Sequence, residues 1–163
     1  MQAAFLIETG TYIALAGALI VAAISDIRTR RIANWLSLFI VALFVVAAIT
    51  RTIAGVELIA AVVWPLATGL FVFLVGLGAF AAGLMGGGDV KLLAAVALMA
   101  GPSFALPFVL YTAVFGGLIA AAMLVWQRLE KEPSPFLMKV PYGVAIMAGG
   151  LWVCMHRISA VSA

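Results

Sequence analysis

Six apolar runs, each bounded by charges or by Gly/Pro clusters, constrain this chain more than any other feature. They fall at about 8–25, 34–50, 57–82, 90–106, 107–127 and 140–156. A helix rising ~1.5 Å per residue needs about 20 residues to cross roughly 30 Å of hydrocarbon. Most of the runs meet that length. The fourth is the exception, because the segment from Val90 to Ala100 is only eleven residues long before "GPSFALP" brings in Pro102 and Pro107. The expectation is an all-α polytopic membrane protein, a bundle of about six transmembrane helices. The fourth is expected to be kinked or short, with Asp89 at its first turn.

Composition supports this and excludes other classes. The 163 residues are 67% hydrophobic and 9% charged, whereas a soluble domain is roughly a quarter charged. The longest stretch without a strong apolar run is Gln127 to Lys139, so a single membrane domain over residues 1–163 is expected, with no appended soluble domain. Arg28 is the first cation and follows the first apolar run. That run therefore reads as a retained helix and not as a signal peptide. Basic residues are spread thinly along the loops and are not interleaved with aromatics, which argues against nucleic acid as a partner. The single cysteine, Cys154, and the single histidine, His156, leave no disulfide framework and no CxxC metal site.

Loop charges set the expected orientation. Arg28, Arg30, Arg31, Lys91, Arg128, Lys131 and Lys139 fall on one side, seven of the nine cations, and only Arg51 and Arg157 fall on the other. The positive-inside rule makes the first side cytoplasmic and, with six spans, puts both termini outside. Of the six acids, Glu8 and Glu57 lie toward the outer face, Glu130 and Glu132 in the most polar loop, and Asp26 and Asp89 at cytoplasmic helix ends.

An ionisable residue at the edge of a membrane span is by default a candidate functional group. Taken singly, each aspartate has a plain structural reading. Asp26 can pair with Arg30 at i,i+4, and Asp89 can complement a helix N-terminus or pair with Lys91. Taken together they suit an aspartyl protease. Two carboxylates ~5 Å apart at an effective dielectric near 20 repel by about 3 kcal/mol, so one proton is shared between them. One carboxylate then takes a proton from water while its protonated partner polarises a scissile carbonyl. Gly86, Gly87 and Gly88 ahead of Asp89 would allow close approach of a substrate backbone and the positive φ values of a tight helix entry.

Three segments in order carry a resemblance: "DIRTRRIAN" from Asp26 to Asn34, "GGGDVKL" from Gly86 to Leu92, and "KVPYGVAI" from Lys139 to Ile146. Together they resemble the type IV prepilin peptidase family, within the wider group of intramembrane aspartyl proteases that share a Gly-x-Gly-Asp signature. The resemblance implies that Asp26 and Asp89 are the catalytic pair, with Gly86 and Gly88 as signature glycines and Lys91 and Asn34 as supporting positions. It implies that Pro141, Tyr142 and Gly143 are structural or substrate-facing. Ala33 departs from the family's usual proline, a change expected to loosen the start of the second helix.

Long members of that family carry a cytoplasmic zinc-binding domain with paired Cys-x-x-Cys and also methylate the new N-terminus. This chain resembles the short, peptidase-only form of tight-adherence (Flp-type) pili. The resemblance implies no metal, no cofactor and no N-methyltransferase activity. The implied partners are membrane lipid and a prepilin or pseudopilin whose short basic leader is cut at the cytoplasmic face of the bacterial inner membrane. Glu130 and Glu132 are candidates to contact that leader, and Ala113, Gly117 and Ala121 form a small-residue stripe against which its apolar segment could dock. The alternatives are a presenilin-like protease with another substrate and a small proton- or cation-coupled carrier, which would place its acids near the bilayer midplane.

Overall fold

The structure is a computed structural model that describes residues 2–129 and 140–162. Its elements are α1 (Gln2–Thr29), α2 (Asn34–Ile53), a π-helical turn (Ile59–Val63) leading into α3 (Trp64–Ala81), α4 (Gly87–Leu129) and α5 (Tyr142–Ser162). No strand occurs among the described residues. The π turn ends two residues before Pro65, which has no N–H to give to the helix ladder, and the Trp64 N–H reaches back five residues to the Ile59 carbonyl.

The buried face of α1 runs Tyr12, Leu15, Leu19, Ala22, Asp26, alternating steps of three and four that keep one face turned inward. Ile13, Ile20 and Ile24 on the opposite side are exposed and apolar. A helix that is apolar all round has a surrounding of lipid or protein on every side. α1 packs on α2 and α5, while α4 packs on α3, α5 and α2.

Five elements are long and apolar enough to cross a membrane, counting Ile59–Ala81 as one, against the six expected. The expected fourth and fifth segments, 90–106 and 107–127, belong to the 43-residue α4, and its break lies at Gly101 and not between residues 106 and 107. Gly101 has φ 66° and ψ 179°, a conformation open essentially to glycine alone. Pro102 directly after it starts the second arm, where a missing N–H costs least. The first arm, 87–100, is ~21 Å long at ~1.5 Å per residue, too short to cross the hydrocarbon alone. Nearly all of its residues from Val90 to Ala100 are buried, which makes it the centre of the bundle.

Beyond Gly101 the chain turns back. Phe104 packs against Trp152, Phe108 and Thr112 face Gly149, and Gly116 faces Tyr142, so the second arm runs antiparallel to α5. The end of the bundle holding the break is tied by a polar cluster from four helices. Arg51 Nε donates to Glu8 Oε1 at 2.8 Å, and its Nη2 donates to the Tyr12 hydroxyl at 2.7 Å. Tyr12 in turn donates to the Met99 carbonyl at 3.2 Å, and Arg157 donates to the Ala100 carbonyl. The last carbonyls of the first arm, left without helical partners by the break, are thus capped by side chains of α1 and α5.

Candidate active site

At the other end of the first arm, Asp26 and Asp89 line one cavity of about 350 Å³, together with Arg30, Met85, Gly86 and Tyr142. The two carboxylates arrive by different routes. Asp26 is the last member of the buried stripe of α1 and is only 5% exposed; the sequence had suggested a position just past the helix end. Asp89 is the third residue of α4 and is half-buried.

Each carboxylate is held by a glycine. The Gly143 N–H, in the first turn of α5, donates to Asp26 Oδ2 at 2.7 Å. The Gly86 N–H, just before α4, donates to Asp89 Oδ2 at 3.1 Å. The second bond is the return half of a capping box, in which an acid at the third helical position reaches back to the N-cap N–H. Asp89 therefore does cap its helix, and the same bond orients it on the cavity wall.

Both bonds require the absence of a side chain. A Cβ on Gly86 would stand 2.7 Å from Asp89 Oδ2. A Cβ on Gly143 would stand 2.8 Å from Asp26 Cβ and 2.9 Å from its Oδ2. The glycines of "MGGGD" serve by this close approach and not by unusual backbone angles. Positive φ is confined to Gly55, Gly83 and Gly101 among the described glycines, which corrects the expectation of a left-handed entry at 86–88. Gly88 allows another close approach, since a Cβ there would lie 3.1 Å from the Ile32 carbonyl oxygen in the loop after α1.

That loop is shaped by the sequence between the two helices. Arg30 takes φ 52° and ends α1, with its N–H still bonded to the Asp26 carbonyl at 2.9 Å. Ser25 Oγ donates to the Arg31 carbonyl at 2.9 Å and closes the turn. Arg30 lines the cavity beside the carboxylates and is the site residue that sequence reasoning missed. In the sequence it stands as a loop cation and an i,i+4 partner for Asp26, and that spacing is the signal that points to it. Ala33, at the N-cap of α2, has φ −71° and ψ 134°, angles a proline would share, so the loop keeps a proline-like path without one.

The remaining sequence candidates divide. Tyr142 lines the cavity and Gly143 touches Asp26, while Pro141 accepts the Val144 N–H at 3.2 Å in the first turn of α5. Lys91 Nζ donates to Asn34 Oδ1 at 3.0 Å, an exposed tie between α4 and α2 outside the aspartate cavity. Glu130 and Glu132 lie outside the described residues. A Cβ on Gly117 would meet nothing within 4 Å, and Ala113 and Ala121 are likewise exposed, so this stripe faces away from the bundle.

In chemical terms the cavity is lined by two carboxylates, a guanidinium and a phenol. A family model described as the type IV leader peptidase family matches residues 13–121, about two thirds of the chain. The match contains both aspartates and Gly86 to Gly88, and stops before Tyr142 and Gly143. No curated protein and no solved structure matched the chain.

Proposed function

Since this chain belongs to the type IV leader peptidase family, we propose that it is a membrane-embedded aspartic endopeptidase using Asp26 and Asp89. Its substrates are Flp-type prepilins or pseudopilins, whose short basic leader it removes at the cytoplasmic face of the bacterial inner membrane. One observation carries this reading: two carboxylates from separate helices line one cavity, and each is held by the N–H of a glycine that could bear no side chain.

The chemistry needs one water and the pair. The ionised carboxylate takes a proton from water as the water oxygen bonds to the scissile carbonyl carbon, and the protonated carboxyl gives its proton to the carbonyl oxygen. The resulting diol collapses. The C–N bond breaks, the amine nitrogen takes a proton from the carboxyl that had received one from water, and a diol hydroxyl returns its proton to the other carboxylate. The products are a leader carboxylic acid and a new N-terminal amine, with the pair again sharing one proton.

Charge distribution supports the cytoplasmic placement. Arg28, Arg30, Arg31 and Lys91 cluster near the aspartate end. Arg51 and Arg157, at the opposite end, are held in the Glu8–Tyr12–Met99–Ala100 cluster. Under the positive-inside rule this distribution supports an aspartate end that faces the cytoplasm.

The test is co-expression with an Flp-type prepilin, scored by gel shift for wild type, Asp26→Asn and Asp89→Asn. Each variant should lose cleavage by at least about 10²-fold, the scale of a missing general acid or base. Normal processing by either variant would refute the dyad.

A further inference from the structure

A second hollow lies in the membrane-embedded part of the bundle, between α3 and the second arm of α4. It is an apolar groove of about 510 Å³ that runs from Trp64 and Pro102 at one end to Ala79 and Met85 at the other. Those 15 steps along α3 make it ~22 Å long at ~1.5 Å per residue, the length of about 15 helical residues. Val72 and Leu93 are its buried floor, and Phe71 and Leu106 its exposed walls. Thr68 is a polar side chain on its lining, and that hydroxyl is already bonded to the Trp64 carbonyl at 2.8 Å. An occupant therefore need supply no hydrogen bond to it and meets apolar surface throughout.

The groove and the active-site cavity meet at one residue. Met85 lines both, a flexible side chain that can adapt to what passes it. The larger apolar hollow of the protein, about 800 Å³ between α2, α3 and the first arm of α4, shares no lining residue with the aspartate cavity. Of the two, only the α3–α4 groove shares a lining residue with the cavity of the carboxylates.

We propose that this groove is the docking site for the apolar helical segment that follows the scissile bond in the substrate. The proposal rests on the peptidase reading and adds where affinity resides. The helix lies along α3 with its leading end at Met85, so the peptide bond just ahead of it enters the cavity of Asp26 and Asp89. Substrate recognition then depends on the length and apolarity of that segment, and it appears in KM more than in kcat.

The test uses the full chain in phosphatidylethanolamine/phosphatidylglycerol vesicles. A photo-crosslinking residue replaces Val75 or Leu106 in the groove, or Val41 or Phe73 in the larger hollow, on an Asp89→Asn background that holds a tagged prepilin uncut. Wild-type cleavage of the same prepilin is measured in parallel. Adducts to the prepilin's apolar segment at 75 and 106, at least about tenfold above those at 41 and 73, support the assignment. Adducts at 41 and 73 instead, or lipid adducts only, overturn it while wild-type cleavage leaves the peptidase reading standing. If wild type cuts no prepilin, the peptidase reading fails and the groove assignment falls with it. In a kinetic arm, Ala79→Trp fills the cavity end of the groove and should raise KM about tenfold with kcat within twofold. Leu38→Trp, in the other hollow, should leave both unchanged. An unchanged KM in folded Ala79→Trp also overturns the proposal.

Discussion

Gly143→Ala probes the support of Asp26 without touching either carboxylate. The added Cβ would stand 2.8 Å from Asp26 Cβ, 2.9 Å from Oδ2 and 3.2 Å from Cγ, so all three nearest atoms belong to the aspartate. Carbon atoms prefer separations of about 3.5–4.0 Å, which requires a shift of about 0.8 Å. That shift stretches the 2.7 Å Gly143 N–H bond to the limit of a hydrogen bond. The cost appears either as a lost bond to a charged acceptor, about 1.5–3 kcal/mol, or as retained overpacking, about 1–3 kcal/mol. Relief of one is the cause of the other, so the two do not add. About 2 kcal/mol expressed in the transition state lowers kcat ~30-fold.

The assay is cleavage of a purified prepilin, with kcat and KM resolved and rates normalised to folded protein from thermal unfolding. Gly117→Ala is the control, because a Cβ there meets nothing within 4 Å. A folded Gly143→Ala enzyme with kcat within twofold of wild type would refute the claim that this contact sets the position of Asp26.

Gly101→Ala should destabilise the protein by about 1–3 kcal/mol through the strain of placing a side chain at φ 66°. Thermal unfolding against Gly117→Ala checks it, and equal midpoints would contradict it. Ala33→Pro should be tolerated and stabilise by about 0.4–1 kcal/mol, since φ −71° is already proline-like and the unfolded chain loses freedom. A lower unfolding midpoint would show that the loop before α2 does not accept the ring.

The apolar runs and the charges that end them were enough to indicate helices at 34–50 and 57–82, and the structure places α2 at Asn34–Ile53 and a span at Ile59–Ala81. Helix ends were less legible. The first run reads as 8–25, yet α1 extends from Gln2 to Thr29, because helical hydrogen bonding continues past the point where hydropathy falls. Had the spacing of three and four from Tyr12 through Leu19 and Ala22 been continued, it would have put Asp26 on the buried face. The sequence points to Pro102 and Pro107 for the break in α4. The residue that bends the chain is Gly101, and its step into Pro102 is the local signal, since a residue before proline is biased away from the helical region.

By itself, then, the sequence determined an all-helical membrane chain and the two lone carboxylates worth pairing, because hydropathy and charge are properties of each residue wherever it lies. Only the tertiary structure decided that Asp26 and Asp89 share a cavity, that Gly143 and Gly86 hold them, and that Arg51, 43 residues from Glu8, closes on it at the far end. Those are contacts between segments distant along the chain. They depend on how the helices pack and where α4 turns, which local pattern does not encode.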